Sequence, residues 1–549
     1  MPNIKVNTPV DLPEKVIIDH NKKTVYFKID HHYDSNKKYT VDKRLYIGKI
    51  NNDNKLIPNN NYFQLFEPTK LDEAPLRCDS ISIGSYAFIN KASILSGIDD
   101  SLNCFEECDK NLILDLAYYM ICEQSAVFQH YPSFGYSHHV FSNNVKSDSF
   151  ISRFLTSDVI AESTIDIFLN NWSKYNNKKT IYLTYDSTNI NYVGDGVTLA
   201  EMGHAKDDET KPQINIEYVV RLDNGIPIMY ETYPGSIIDM VEFTKMSSRL
   251  KDNDYKNITL ICDRGYISLE NIKWLDNHNY DFILMLKNNL IDSKRIINEH
   301  FNEVKYNNEY YLNDYDIYVK SFMDKIYNID KARYFHLIFN PDIMDTERKN
   351  LLNTVNKYEI EIGKYIENKL SISKNEENKL SRYFEIKTNK QQKVLSYKKR
   401  NDVINDEVSK LGYYVIVTSK PISSATVIEL YKGRDNVEKD FRSLKSSLGL
   451  SSFKVHSDRA IISKVFISFI ACILRCYIFN EMKELRKQNK KDFTINASLD
   501  EIDKVHAIYN YKNNKYALKY ALTSKQKNIL KTLNIDEKYL INIANNMTR

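Results

Sequence analysis

The sequence predicts an α/β protein: a mixed sheet flanked by helices and interrupted by a β-containing insertion, with an α+β N-terminal region and a helical C-terminal region. Three observations carry this. Two short apolar runs, Thr180–Tyr185 and Asn257–Cys262, are rich in β-branched and aromatic residues, and each leads into an aspartate, Asp186 and Asp263. Between them, Asp223-Asn224-Gly225 joins two strand-like stretches, Ile214–Arg221 and Ile226–Tyr233, as a tight hairpin does. Far downstream, Ser424–Leu448 reads as one helix with Leu430, Val437, Phe441, Leu444 and Leu448 on one face.

In chain order, residues 1–105 read as β-rich, with alternation in Lys15–Ile18 and Thr24–Ile29. Residues 106–178 turn helical. Leu112, Leu114, Leu116, Ala117 and Met120 form an apolar stripe, and a second helical stretch runs from Ser149 to Trp172. Ser149, Ser152 and Arg153 near a helix start suit phosphate contact in a groove, so this region is read as DNA binding; a plain packing layer fits the same residues. Residues 179–287 hold the first part of the core. After the hairpin come a helix opened by Pro234-Gly235-Ser236, the strand to Cys262, a helix from Ser268 to about Asn277 and a strand from Asp281 to Leu286. Residues 288–411 read as an inserted subdomain, charged, with strands such as Ala332–Phe339 and a long helical stretch from Thr346 to about Asn375. Residues 412–482 resume the core with the strand Tyr413–Thr418, the Ser424–Leu448 helix and an apolar helix from Ala460 to about Met482. Residues 483–549 form a helical tail whose Lys483, Arg486, Lys487, Lys490 and Lys491 make either a solvated face or a contact with DNA backbone.

Composition narrows the class. At 549 residues the chain exceeds one core, and a formal charge of +4 permits nucleic acid without demanding it. The seven cysteines include no CxxC pair; Cys104 and Cys108 lack a second pair to complete a zinc site. All seven are read as reduced thiols of a cytosolic protein. The start, Met1-Pro-Asn-Ile-Lys5, lacks the apolar core of a signal peptide, and the longest apolar stretch, Val465–Ile473, is far shorter than the ~20 residues of a membrane span. The expectation is a soluble protein without a membrane partner.

Tyr431, Arg434, Glu438 and Lys445 follow the pattern Y-x(2)-R-x(3)-E-x(6)-K. At roughly 100° per residue a continuous helix places the other three within about 60° of Tyr431. Arg434 and Glu438 alone would pass for an ordinary surface pair, and either aspartate could simply end a strand. Together, Asp186, Asp263 and Glu438 are three carboxylates that cannot converge without a cation. Their hard oxygen donors suit Mg²⁺, with Mn²⁺ as a substitute, and two such ions would support in-line phosphoryl transfer. Arg434 and Lys445 would hold phosphates, and Tyr431 would donate to a phosphate or brace the helix. With the insertion set aside, three strands, then alternating helices and strands, then a late helix carrying Glu438 are the layout of a ribonuclease-H-like domain.

The chain resembles bacterial insertion-sequence DDE transposases of the Y-R-E-K motif group over most of Thr180–Met482. Asp263-Arg264-Gly265-Tyr266 is similar to the block around that group's second carboxylate. Gly203-His204-Ala205-Lys206-Asp207 with Gln213, Gly225-Ile226-Pro227 and Pro234-Gly235-Ser236 resemble blocks of one subfamily, and Tyr431–Lys445 resembles the motif itself. Asp435 stands where many relatives carry Trp, and Ala205 where Ser is usual. The resemblance implies Mg²⁺-dependent cutting of double-stranded DNA at terminal inverted repeats and joining to target DNA, by a synaptic homodimer in the nucleoid-associated bacterial cytoplasm. It implies catalysis and metal binding by Asp186, Asp263 and Glu438. It implies DNA or phosphate contacts by Tyr431, Arg434, Lys445, Arg264, His204 and Lys206, and contact between element ends and residues 288–411. Two other readings stay open: a catalytically inactive DNA-binding relic, and a ribonuclease-H-like nuclease that does not transpose.

Overall fold

The computed structural model describes residues 9–547 apart from 20, 22, 35–37, 68–79, 143, 177–180, 204–207, 209, 238, 254, 256, 328, 490 and 511–513. The chain divides into two compact units, one of Met1–Phe88, Pro132–Val145 and Asn496–Arg549, the other of Ile89–Tyr131 and Lys146–Ile495.

The first unit opens with an antiparallel sheet, β1 (Val16–Asp19), β2 (Thr24–Asp34), β3 (Tyr39–Ile50) and β4 (Leu56–Pro58), paired in chain order. Alternation turns Val25, Ile47, Ile50 and Leu56 inward, where Tyr62 and Phe63 of the helix Asn60–Phe66 cover them. Asn59 caps that helix by accepting from the Tyr62 N–H. The short strand β5 (Ser80–Ser82) follows.

The second unit is built on a ten-stranded mixed sheet. β6 (Ile181–Tyr192), β7 (Gln213–Arg221) and β8 (Pro227–Pro234) form an antiparallel meander. The turn between β7 and β8 passes through Gly225 at φ +67°, a conformation glycine adopts without strain. β9 (Ile258–Cys262) runs parallel to β6, and β10 (Asp281–Met285) parallel to β9. Every residue of β7 and β9 is buried, as suits strands covered on both faces.

Residues of the expected insertion do two things. β11 (Tyr311–Leu312), β12 (Ile317–Asp324) and β13 (Arg333–Phe339) continue the central sheet. The stretch after β13 packs around a second core instead. Its helix Pro341–Glu367 starts with proline at the first turn and Asn340 accepting from the Asp342 and Ile343 N–H groups. Val355, Ile362, Leu380, Phe384 and Val394 fill that core beneath the hairpin of β14 (Phe384–Thr388) and β15 (Val394–Lys399). β16 (Tyr413–Thr418) then returns between β13 and β10, antiparallel to both.

Three local expectations differ from the structure. The strand through Asp186 does not stop there; it runs on to Tyr192 because β7 pairs it as far as Asn191 and β17 (Ser452–Phe453) pairs its far end in parallel. The stretch Ser424–Leu448 is not one helix. It is a helix Ser424–Lys432, a break, a helix Asp435–Arg442 and a π-helical turn Ser443–Ser447, closed by the Leu448 N–H donating to the Ser443 carbonyl. The tail is not wholly helical either: β18 (His506–Asn510) and β19 (Lys515–Leu518) form a hairpin that pairs with β5 in the first unit.

The apolar helix Asp458–Glu481 is long and apolar enough to cross a membrane, yet 78% of its most apolar window is buried. It packs against the helices Glu107–Glu123 and Asp148–Thr156 and against β8, so its all-round hydrophobicity is that of a core helix. Each fully buried Leu, Ile, Val or Phe there contributes roughly 1.5–3 kcal/mol.

Candidate active site

The sheet edge explains where the aspartates meet. β9 follows β6 up to the pair Tyr185–Cys262, and β17 takes up the same edge only at Asn191. Among the described residues no strand pairs with that edge in between. Asp186 lies one step past the last β9 pair, and Asp263 is the first residue after β9, so the register sets the two side by side. This is the carboxyl end of parallel strands, where open α/β sheets leave a crevice. The Tyr266 hydroxyl donates to Asp186 Oδ1 at 3.4 Å, and the Ser187 N–H donates to the same oxygen at 2.8 Å.

The helix Ser424–Lys432 anchors through Val427, Ile428 and Leu430 onto Ile261 and Ile283 of β9 and β10. That places Tyr431 at the rim, where its hydroxyl donates to Asp263 Oδ1 at 3.2 Å. The helix then breaks at Gly433. A Cβ there would come within 2.4 Å of Leu222 Cδ1, so any larger residue would require the Leu222 side chain at the hairpin to shift. The helix Asp435–Arg442 lies on β6 and β7, with Val437 buried and the Phe441 ring 5.3 Å from that of Tyr218. Asn436 Nδ2 fixes the break by donating to the Leu222 carbonyl at 3.0 Å.

Arg434 sits at the break and ties the site together. Its Nη1 lies 2.8 Å from Asp263 Oδ2, and its Nη2 donates to Glu438 Oε1 at 3.1 Å. The guanidinium is 16% exposed, the Asp263 carboxylate 35% and the Glu438 carboxylate 49%, so the cation is the most buried of the three and each carboxylate keeps a face toward solvent. Burial raises the Asp263 pKa, but Arg434, the Arg264 N–H and the Tyr431 hydroxyl outweigh it and hold the carboxyl below its usual value. Burial would lower the Arg434 pKa, and Tyr431, Asp263, Glu438 and Asp186 more than offset it. Burial, then the Asp263 charge, keeps the Tyr431 phenol protonated far above its ordinary range.

Direct bonds thus join Tyr431 and Arg434 to Asp263 and Arg434 to Glu438, with Asp186 tied to the same block through Tyr266. Arg264 follows Asp263, its side chain exposed and its N–H donating to Asp263 Oδ1 at 2.7 Å. Lys445 lies farther along, half-buried in the π-helical turn. His204 and Lys206 fall outside the described residues. Tyr266 was present in the sequence as part of the Asp263 block, but its bond to Asp186 depends on the fold. Glu217, a fourth carboxylate wholly buried on β7 opposite Ser187, stands outside every motif, and only the strand pairing brings it next to the Asp186 strand.

The donor set suits a hard divalent cation. All three carboxylates are oxygen donors at an opening, and the position between Asp263 and Glu438 is already held by a positive group, the Arg434 guanidinium.

The sequence matches the transposase DDE domain family over residues 179–474, more than half of the chain. No curated protein matches it. Among solved structures, the cryo-EM structure of the piggyBac transposase synaptic complex with hairpin DNA aligns at 11% identity with a TM-score of 0.33, over 74% of this chain and 65% of that chain.

Proposed function

Because the chain belongs to the transposase DDE domain family, we propose that it is a bacterial insertion-sequence transposase of the Y-R-E-K group, cutting the ends of its own element and joining them to target DNA. The observation that carries this is the Arg434 guanidinium bridging Asp263 and Glu438 beside Asp186. The order β8-β7-β6-β9-β10 supports a ribonuclease-H-like core: three antiparallel strands with the first innermost, then two parallel to it.

In this reading Asp186 and Asp263 hold divalent metal at the strand ends and Glu438 completes the set from its helix. Bound there, two Mg²⁺ or Mn²⁺ ions would supply charge stabilisation to the attacking and leaving oxygens of an in-line displacement. The residues of the chain do the rest. Arg434 swings one arm from carboxylate to phosphate, where its planar fork binds two oxygens. Lys445 and Arg264 add positive charge along the DNA path. Tyr431, kept protonated, holds Asp263 in place. The substrate is double-stranded DNA at terminal inverted repeats, brought together by a homodimer.

The test uses purified protein, DNA from both flanks of its gene, and Mg²⁺ or Mn²⁺. Discrete nicks at matching inverted repeats, absent with Glu438→Gln, support the reading. Binding without any cut by folded wild-type protein overturns it in favour of an inactive relic, and cutting without joining favours a nuclease.

A further inference from the structure

Beneath the Glu438 helix, on the side away from the opening, lies a second group of chemistry-bearing side chains. Cys472 and Cys476 stand four residues apart on the apolar helix Asp458–Glu481, hence on one face. Asp440 faces them from the helix Asp435–Arg442, with the Cys476 thiol donating to Asp440 Oδ1 at 3.2 Å. The two sulfurs and a carboxylate oxygen all lie within 4.8 Å of one another. Asp440 is 5% exposed and Cys472 is fully buried.

Two buried polar atoms at this spot have no hydrogen-bond partner among the described residues: Asp440 Oδ2 and the Tyr218 hydroxyl. Tyr218, fully buried on β7, has Cys472, Asp440 and Cys476 among its nearest charged or ionisable neighbours. An orphaned carboxylate oxygen and an orphaned phenol in an otherwise apolar core each leave a desolvation cost unrepaid. A cation among the four groups would satisfy the carboxylate and give the phenol an oriented neighbour.

We propose that Asp440, Cys472 and Cys476 form a buried site for a thiophilic divalent cation of the zinc class, with Tyr218 closing its fourth side. Tetrahedral Zn²⁺ at the usual Zn–S and Zn–O lengths sets its ligands about 3.5–3.8 Å apart, within the observed spread. Two ligands at i and i+4 on one helix are a recurrent way of presenting such a pair. Binding releases both thiol protons to solvent; the two thiolates balance the ion's two charges, and the Asp440 carboxylate adds one negative charge. Soft donors separate this site from the all-oxygen set at the opening. Its role is structural: it pins the helix that carries Glu438 to the central apolar helix. The proposal does not rest on the transposase reading, because the donors and their burial are the same whatever the opening binds.

The experiment titrates full-length protein with Cd²⁺ in excess Mg²⁺, following thiolate-to-metal charge-transfer absorption, which carboxylate sites do not give. We expect a band saturating at a single ion per chain, retained in Glu438→Gln, reduced in Asp440→Asn and lost in Cys472→Ser/Cys476→Ser. Alkylation mapping on the wild type, which needs no altered fold, should show Zn²⁺ protecting the partly exposed Cys476 but not the partly exposed Cys104. No band, equal alkylation with and without Zn²⁺, or a band that survives in the folded double variant overturns the site.

Discussion

Arg434 Nη1 lies 2.8 Å from Asp263 Oδ2, so a guanidinium occupies the carboxylate that a divalent cation would need. Removing it has opposite effects on binding and on chemistry. Arg434→Gln should bind Mn²⁺ about tenfold tighter, because a competing positive charge close to the ligand has gone. DNA cutting should fall by two orders of magnitude or so, as phosphate loses its bidentate partner. Mn²⁺ titration followed by electron paramagnetic resonance measures the first, and weaker binding would mean the guanidinium supports the metal site instead.

The same pair has a pH signature. Asp263 has a lowered native pKa, so its contribution to stability is present above its unfolded value of 3.8 and is lost as pH falls through the lowered one. In Arg434→Gln that contribution shrinks, because only the Arg264 N–H and the Tyr431 hydroxyl still oppose burial. The variant should therefore denature at higher pH than wild type on acid titration, read by circular dichroism.

Glu438→Gln keeps the shape of the side chain and removes its charge. Loss of even an outer partner of a metal ligand typically costs about 10–100-fold, so loss of the ligand itself should exceed that in the cutting assay. Binding to the repeat DNA, followed by fluorescence anisotropy, should change only slightly. An equal loss of binding would move Glu438 from chemistry to recognition.

Gly433→Ala tests the break. Its added Cβ meets Leu222 Cδ1 at 2.4 Å and the Leu430 carbonyl at 3.3 Å. Overpacking of this kind costs about 1–3 kcal/mol. Because the clash is chiefly with one flexible side chain, Leu222→Ala should recover part of the loss in a double-mutant cycle by urea denaturation. Strict additivity would show that the glycine serves some other purpose.

His336 predicts a separate acid transition. It is 1% exposed on β13, hydrogen-bonded to Ser321 at 2.7 Å, and burial pushes its pKa down to about 4. The unfolded chain takes up the proton first, near pH 6.5. Stability therefore falls as pH drops from about 6.5 to about 4, by on the order of 3 kcal/mol. His336→Gln should flatten that slope relative to wild type, measured as denaturant midpoints across the window.

Much of the core was readable because its signals are local. The strands leading into Asp186 and Asp263, the Asp223–Gly225 turn and the apolar face Leu430, Val437, Phe441, Leu444 and Leu448 depend on neighbours in sequence, and each begins close to where periodicity put it. The helix break was not readable, because Gly433 is a poor helix former that many helices tolerate and its reason, Leu222, is more than 200 residues away. The continuation of β6 past Asp186 was hidden for a similar cause: Ser187, Thr188, Asn189 and Asn191 look like loop residues, and only pairing with β7 and β17 buries them. The contribution of β11–β13 to the central sheet is a matter of which edge was free, something no local pattern records.

The sheet order also sets a timetable for synthesis. β16 must enter between β13 and β10, and β17 must reach the far end of β6, before the Tyr431 and Glu438 helices are held on both sides. Glu438 follows Asp263 by 175 residues in the chain. At translation rates of about 5–20 residues per second, a growing chain carries both aspartates for roughly 10 to 35 seconds before their arginine and glutamate leave the ribosome. A prematurely terminated product ending between Asp263 and Arg434 has both aspartates and neither Arg434 nor Glu438, so on the proposed reading an interrupted message yields a fragment that lacks the third carboxylate and the guanidinium that bridges to it.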